Sequence, residues 1–315
     1  MIRIFYKNEG NIDYFQSEKD FARVTLDEVL WIDLLDPEGK EKKATEAFLK
    51  ADIQSRAQAE EIESSSRFFE RGNAVYANTN YLTPAGDEYT SDPVSFTLVG
   101  NVLATLREVP LRSFNSLQMK MMARPALFKS GFAVFAAILD QRVDLDADIV
   151  EILSKETARF SKRINQQEDI NEDFLLDINQ LQENTMMLRE SVVDKQRLIS
   201  NLLKSDNCPE EMEPRLSVLL QDIASLINHT NFNFERLEYL QDTVLGLINL
   251  DQNRIMTIFT LVSVLLMPAT LIASFYGMNV SLPWDDLEYA WILIIGMMIL
   301  LVVGIWFIFK RRKLL

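Results

Sequence analysis

Between Phe259 and Phe275 every hydroxyl side chain, namely Thr260, Ser263, Thr270 and Ser274, falls on one line of alternating three- and four-residue steps. On an α-helix such steps return to the same face. Continued outward the line also takes in Asn253, Met256 and Met267, and beyond its end stands Gly277-Met278-Asn279. Polar side chains on one face of an otherwise apolar helix serve either a tight seam against a neighbouring helix or the wall of a water-filled pore.

The helix carrying this line is expected over residues 255–276, which hold one Pro and no acidic side chain. A second apolar run, 290–309, follows a loop of ten residues. Each run is long enough to span a hydrocarbon core about 30 Å thick at about 1.5 Å of rise per residue. Two C-terminal membrane spans are therefore expected, and the preceding 254 residues must fold in water. The formal charge of the 315-residue chain is −14; four basic and three acidic residues follow position 254, which leaves −15 for the part before it. Such an acidic body argues against nucleic acid as a partner and is compatible with cations.

The N-terminal stretch Met1-Ile2-Arg3-Ile4-Phe5-Tyr6 is too short an apolar run for a signal peptide, so it is expected to stay in the cytoplasm. Two spans return the C-terminus to the same side, where Lys310, Arg311, Arg312 and Lys313 obey the positive-inside rule; the intervening loop has three acids, Asp285, Asp286 and Glu288, and no base. With one Cys and one His the chain cannot close an internal disulfide or a Cys/His zinc site.

Short β-rich runs at 2–6, 29–34, 74–81, 94–99 and 102–107 alternate with helical patterns at 38–50 and 55–65, and Gly100-Asn101 reads as a two-residue hairpin turn. This predicts an α/β domain around a mainly antiparallel sheet, over residues 1–130. An acidic long-helix region follows at 131–208, broken at Ser205-Asp206-Asn207-Cys208-Pro209. A stalk helix at 209–254 leads into the first span (255–276). After it come an outer loop (277–289), the second span (290–309) and a basic tail (310–315). One helix from Arg215 to Tyr276 would be about 90 Å long and would need neighbours along its apolar side. The hydroxyl line, extended upward, collects Asn249, Gly246, Asp242, Tyr239, Glu235 and Phe232. That set is too polar for a dry coiled-coil seam and favours a wet lumen.

Tyr276-Gly277-Met278-Asn279 at the outer end of the first span, Pro268 eight residues before Tyr276, and a basic end closing on Leu314-Leu315 resemble the CorA family of magnesium and cobalt transport proteins. The segments 248–255, 267–271 and 60–70 resemble the proteobacterial branch of that family. The resemblance implies a funnel-shaped homopentamer in the bacterial inner membrane, whose first spans line one pore for Mg²⁺, with Co²⁺ and Ni²⁺ also admitted. It implies that Asn279 supplies a ring of amide oxygens binding the still-hydrated ion, with no cofactor required. Gly277 is expected to permit a turn in which a side chain would be strained. By matching register, Thr270 and Met267 are implied as constrictions, Phe259 and Met256 as an apolar gate, Asn253 as the inner mouth and Asp242 as an acidic ring. Taken singly, Met267 and Phe259 would be ordinary packing and Asp242 a solvated acid; the shared register is what groups them.

Two departures from the family stand out. The usual Met-Pro-Glu-Leu after the Gly-Met-Asn triplet is here Val280-Ser281-Leu282-Pro283-Trp284, so Asp285, Asp286 or Glu288 must supply any negative field at the entrance. At the stalk position where the family carries a regulatory Asp for inhibitory Mg²⁺ this chain has Val218, and the nearest stalk acid is Asp222. The alternatives are a transporter of Zn²⁺ or another divalent ion on the same scaffold, and a membrane scaffold that does not transport. An enzyme reading has only His229, flanked by Asn228 and Thr230 on a helix, to rest on.

Overall fold

A computed structural model describes residues 1–55, 67–166, 170–278 and 289–311, and the chain divides into two units, Met1–Gln241 and Asp242–Leu315. The first unit opens with strands β1 (Ile2–Asn8), β2 (Asn11–Phe15) and β3 (Val29–Leu35) and helix α1 (Gly39–Leu49). Strands β4 (Phe68–Arg71), β5 (Ala74–Ala85), β6 (Glu88–Val99) and β7 (Val102–Arg107) follow. All seven join one sheet in the order β2-β1-β3-β7-β6-β5-β4, antiparallel except where β3 meets β7. The expected mainly antiparallel α/β domain is therefore present. The Gly100-Asn101 turn closes the β6–β7 hairpin with Val99 opposite Val102, and Gly100 takes a positive φ of 56° that glycine adopts without strain. The helix expected over 55–65 lies almost wholly outside the described residues.

Both faces of the sheet are covered, so β3 is buried along nearly its whole length instead of alternating. On one face Ile4, Ile32, Leu34 and Leu106 pack with Leu49 of α1. On the other, Trp31 stacks on Phe5 at 4.9 Å and meets Phe114 of helix α2 (Arg112–Ala123) at 5.8 Å. The one acid in β3, Asp33, accepts hydrogen bonds from Arg107 (3.1 and 2.8 Å), Thr105 (3.1 Å) and Gln118 (3.1 Å). A carboxylate taken out of water is tolerated there because its lone pairs are all engaged.

Helix α3 (Gly131–Gln166) starts against the β6–β7 turn. Gly131 donates its N–H to the carbonyl of Asn101 at 2.7 Å, and a Cβ in its place would lie 2.5 Å from the backbone nitrogen of Leu103. Helix α4 (Glu172–Leu203) begins at Asn171, whose side chain caps the N–H of Phe174 at 3.0 Å. It is tied to the sheet by Lys195, a fully buried cation that donates to the carbonyls of Asn80 and Ser191 and lies 3.1 Å from Asp146 of α3. Arg142 shares that carboxylate at 2.5 Å.

Helix α5 runs unbroken from Glu213 to Tyr276, 64 residues with Pro268 inside it. Within the first unit its buried residues, Leu216, Leu219, Ile223, Leu226, Thr230, Asn233, Leu237 and Leu240, recur every three or four positions, the signature of one packed face. Asn233 donates to Ser154 of α3 at 2.6 Å, and Gln241 donates to Asn179 of α4 at 2.9 Å. Helix α6 (Ala290–Arg311) completes the described elements.

Candidate ion pathway

Among the described residues two helices, α5 and α6, are long and apolar enough to cross a membrane, as the sequence predicts. Their large apolar side chains stand exposed in the single chain, among them Leu266, Leu271, Ile299, Leu300 and Phe307, an amount of bare hydrocarbon that water does not tolerate. Pro268 brings no N–H to the helix ladder, a defect tolerated in membrane helices where neighbouring groups can re-satisfy the backbone.

In the second unit, α5 shows two distinct faces. Leu261, Leu265, Pro268, Ile272 and Tyr276 are half-buried, as are Ile294, Met298, Val302, Ile305 and Phe309 of α6. Since the lower part of α5 and α6 are the described helices of this unit, each is the element that can cover the other's half-buried face. Ser263, Met267, Thr270 and Ser274 are exposed on the other face, and Asn253, Met256, Phe259 and Thr260 are exposed in a stretch, residues 249–260, that is bare all round. At 3.6 residues per turn, the centre of this second line lies about 150° around the helix from the covered face. The hydroxyl line therefore turns away from α6, and its flanks, with Val262 and Leu266 on one side and Leu271 and Phe275 on the other, are apolar and exposed. Further up the same helix Asn249, Gly246, Asp242, Tyr239, Glu235 and Phe232 are exposed too.

Three of the four hydroxyl protons on the line are already in use. Thr260 donates to the carbonyl of Met256 at 2.8 Å, Ser263 to that of Phe259 at 2.8 Å, and Thr270 to that of Leu266 at 3.0 Å. Each of these three oxygens thus offers lone pairs outward and keeps its proton on its own helix, which suits a cation or the protons of water around one.

Gly277 stands in the turn just past the end of α5 at Tyr276, without the positive φ that Gly10, Gly72, Gly86 and Gly100 adopt. It continues the helical path, its N–H reaching the carbonyl of Ala273 at 3.0 Å, and a Cβ would approach that oxygen to 3.2 Å, which is tight without being prohibitive. Met278 is exposed beyond it. Asn279, Asp285, Asp286 and Glu288 lie outside the described residues.

Of the stalk acids, Asp242 and Asp222 are both exposed. Asp222 sits within electrostatic reach of Asp144 on α3, whose carboxyl is pushed above its ordinary range, chiefly by burial and then by Asp140, Asp148 and Asp222. Among the described residues no three His, Cys, Asp or Glu side chains converge closely enough to hold a metal ion. Periodicity could not reveal the orientation of the hydroxyl line away from α6, because that depends on a second helix.

A two-span membrane protein with a large water-facing α/β domain and one polar line on its long helix is the class this architecture defines. The family model of the CorA-like Mg2+ transporter protein matches residues 27–311. The magnesium transport protein CorA of Wolinella succinogenes is 32% identical over 300 residues, covering 92% of each chain. That of Campylobacter jejuni is 31% identical over 296 residues, covering 90% of each. The complete structure of the CorA magnesium transporter from Methanocaldococcus jannaschii superposes with a TM-score of 0.81 at 18% identity, over 99% of this chain and 98% of that one. The chain belongs to the CorA-like Mg²⁺ transporter family.

Proposed function

We propose that copies of this chain, five as the resemblance implies, form a ring in the bacterial inner membrane and pass Mg²⁺ inward through a pore lined by α5. Both chain termini then lie in the cytoplasm. Co²⁺ and Ni²⁺, of the same charge and similar size, are admitted by the same path. The observation that carries this reading is the placement of Thr260, Ser263, Met267, Thr270 and Ser274 on the face of α5 opposite α6. A ring puts that face on the axis, its apolar flanks against neighbouring copies and α6 toward lipid.

The ion meets Asn279 first, still wearing its water. Mg²⁺ surrenders water reluctantly, and amide oxygens that accept from the first-shell waters select it without stripping it. Asp285, Asp286 and Glu288 supply a negative field at that mouth. Met256 and Phe259 form the apolar constriction that closes by excluding water, Asn253 and Asp242 receive the ion on the inner side, and occupied cation sites on the stalk, with Asp222 among their acids, favour closure. The membrane potential supplies the drive: two charges crossing 100 mV are worth about 4.6 kcal/mol.

The test is purified protein in liposomes loaded with a Mg²⁺-sensitive dye. An inward-negative potential is expected to produce influx in the wild type and none in Asn279→Ala. A silent wild type across lipid compositions and Mg²⁺ concentrations would leave a membrane scaffold as the surviving reading.

A further inference from the structure

Met256 and Met267 are the two apolar side chains nearest the centre of the exposed line on α5, and they are about 16 Å apart along the helix. A dry stretch of that length would be a severe barrier to an ion that keeps its water. Ser263 interrupts it. It lies within about 20° of the line's centre, about 10 Å from Met256 and about 6 Å from Met267. Its hydroxyl is exposed on the side away from α6 and gives its proton to the carbonyl of Phe259 at 2.8 Å. Thr260 lies between Met256 and Ser263 but further from the centre line, and it gives its proton to Met256.

We infer, resting on the pore reading above, that Ser263 forms a mid-pore hydration station that divides one long apolar barrier into two short ones. A ring of Ser263 oxygens, each with its own proton committed to the backbone, presents acceptors only. The first-shell waters of a cation point their protons outward and are received there; an anion, whose shell presents oxygens, is not. The ion therefore crosses the Met256 constriction and the Met267 constriction as separate steps, and the hydroxyl at 263 sets the height of both.

The experiment compares Ser263→Ala and Ser263→Thr with the wild type in the liposome assay, recording maximal influx and the Mg²⁺ concentration at half-maximum. For Ser263→Ala the maximal rate is expected to fall about fivefold or more, the weight of one net hydrogen bond. The half-saturating concentration is expected to stay put, because the outer mouth is untouched. Ser263→Thr keeps the hydroxyl and is expected to retain at least half of the wild-type rate. Thermal unfolding in detergent should be the same for all three, since the hydroxyl bonds only its own helix. A wild-type rate in Ser263→Ala, or equal losses in Ala and Thr, overturns the inference while leaving the pore intact; a silent wild type overturns the pore reading itself.

Discussion

Asp33 in the sheet and Ser263 in the membrane helix are both polar groups set in apolar elements, and they are treated in opposite ways. Asp33 is sealed in with four hydrogen bonds from Arg107, Thr105 and Gln118. Ser263 has its proton satisfied internally and its lone pairs left open on an exposed face. The same contrast separates Lys195, buried among Asp146, Ser191 and Asn80, from Asp242 on the exposed line. Asp33 and Lys195, which hold the fold, are completed within the chain, whereas on the proposed function Ser263 and Asp242 are left for a passing ion to complete.

If that division holds, polar deletions in the first unit lower stability, and polar deletions on the line lower transport without unfolding anything. The largest effect is expected for Asp33→Ala, which leaves the Arg107 guanidinium buried without its carboxylate and should cost about 3–5 kcal/mol, read as a drop in the unfolding midpoint of the full chain in detergent. Gly131→Ala drives a methyl into the backbone of Leu103 and should cost about 1–3 kcal/mol by the same measurement.

Lys195 gives a pH signature. Burial, opposed in part by Asp146, lowers its pKa from 10.5 to about 8. Between those values the unfolded chain holds a proton that the folded chain has released, so the contribution of this group to stability rises as pH rises from about 8 to about 10.5. The wild type minus Lys195→Met difference in unfolding free energy, measured across that range, should carry a positive slope no steeper than about 1.4 kcal/mol per pH unit. A flat or negative difference would mean that burial does not discharge this lysine. Thr270→Val, like the Ser263 variants, is expected to leave stability nearly untouched: unfolding within about 0.5 kcal/mol of wild type, with Mg²⁺ influx reduced. A large loss of stability there would place Thr270 in a packed seam and erase the contrast.

Much of the fold was legible because its signals are local. The Gly100-Asn101 turn fixed the β6–β7 hairpin, and β7 occupies the expected 102–107. Strands β5 and β6 run further than expected because Pro84 and Pro93, ordinarily strand breakers, both sit inside the ladder. Each lies beyond the reach of its outer neighbour, since β4 pairs no further than Ala77 and β7 no further than Ser95, so a missing N–H leaves no partner stranded. Helix α2 escaped notice because the residue before it, Leu111, offers no capping side chain. The polar line was visible at once, since its members share a single helix. Its relation to α6, the half-burial of Leu261 and Ile272 opposite it, and the charge group of Lys195, Asp146 and Arg142 all join residues distant in sequence, and no spacing rule reports them.

The central claim is that the line on α5 faces water. Single cysteines placed on a Cys208→Ala background, at 263, 270 and 274 on the line and at 265 and 272 on the face toward α6, can be titrated with a membrane-impermeant charged thiol reagent in liposomes under conditions that support influx. The account predicts rapid modification, with block of Mg²⁺ flux, at the first three positions and none at the last two. Equal reactivity at all five, or protection of 263, 270 and 274, would contradict it.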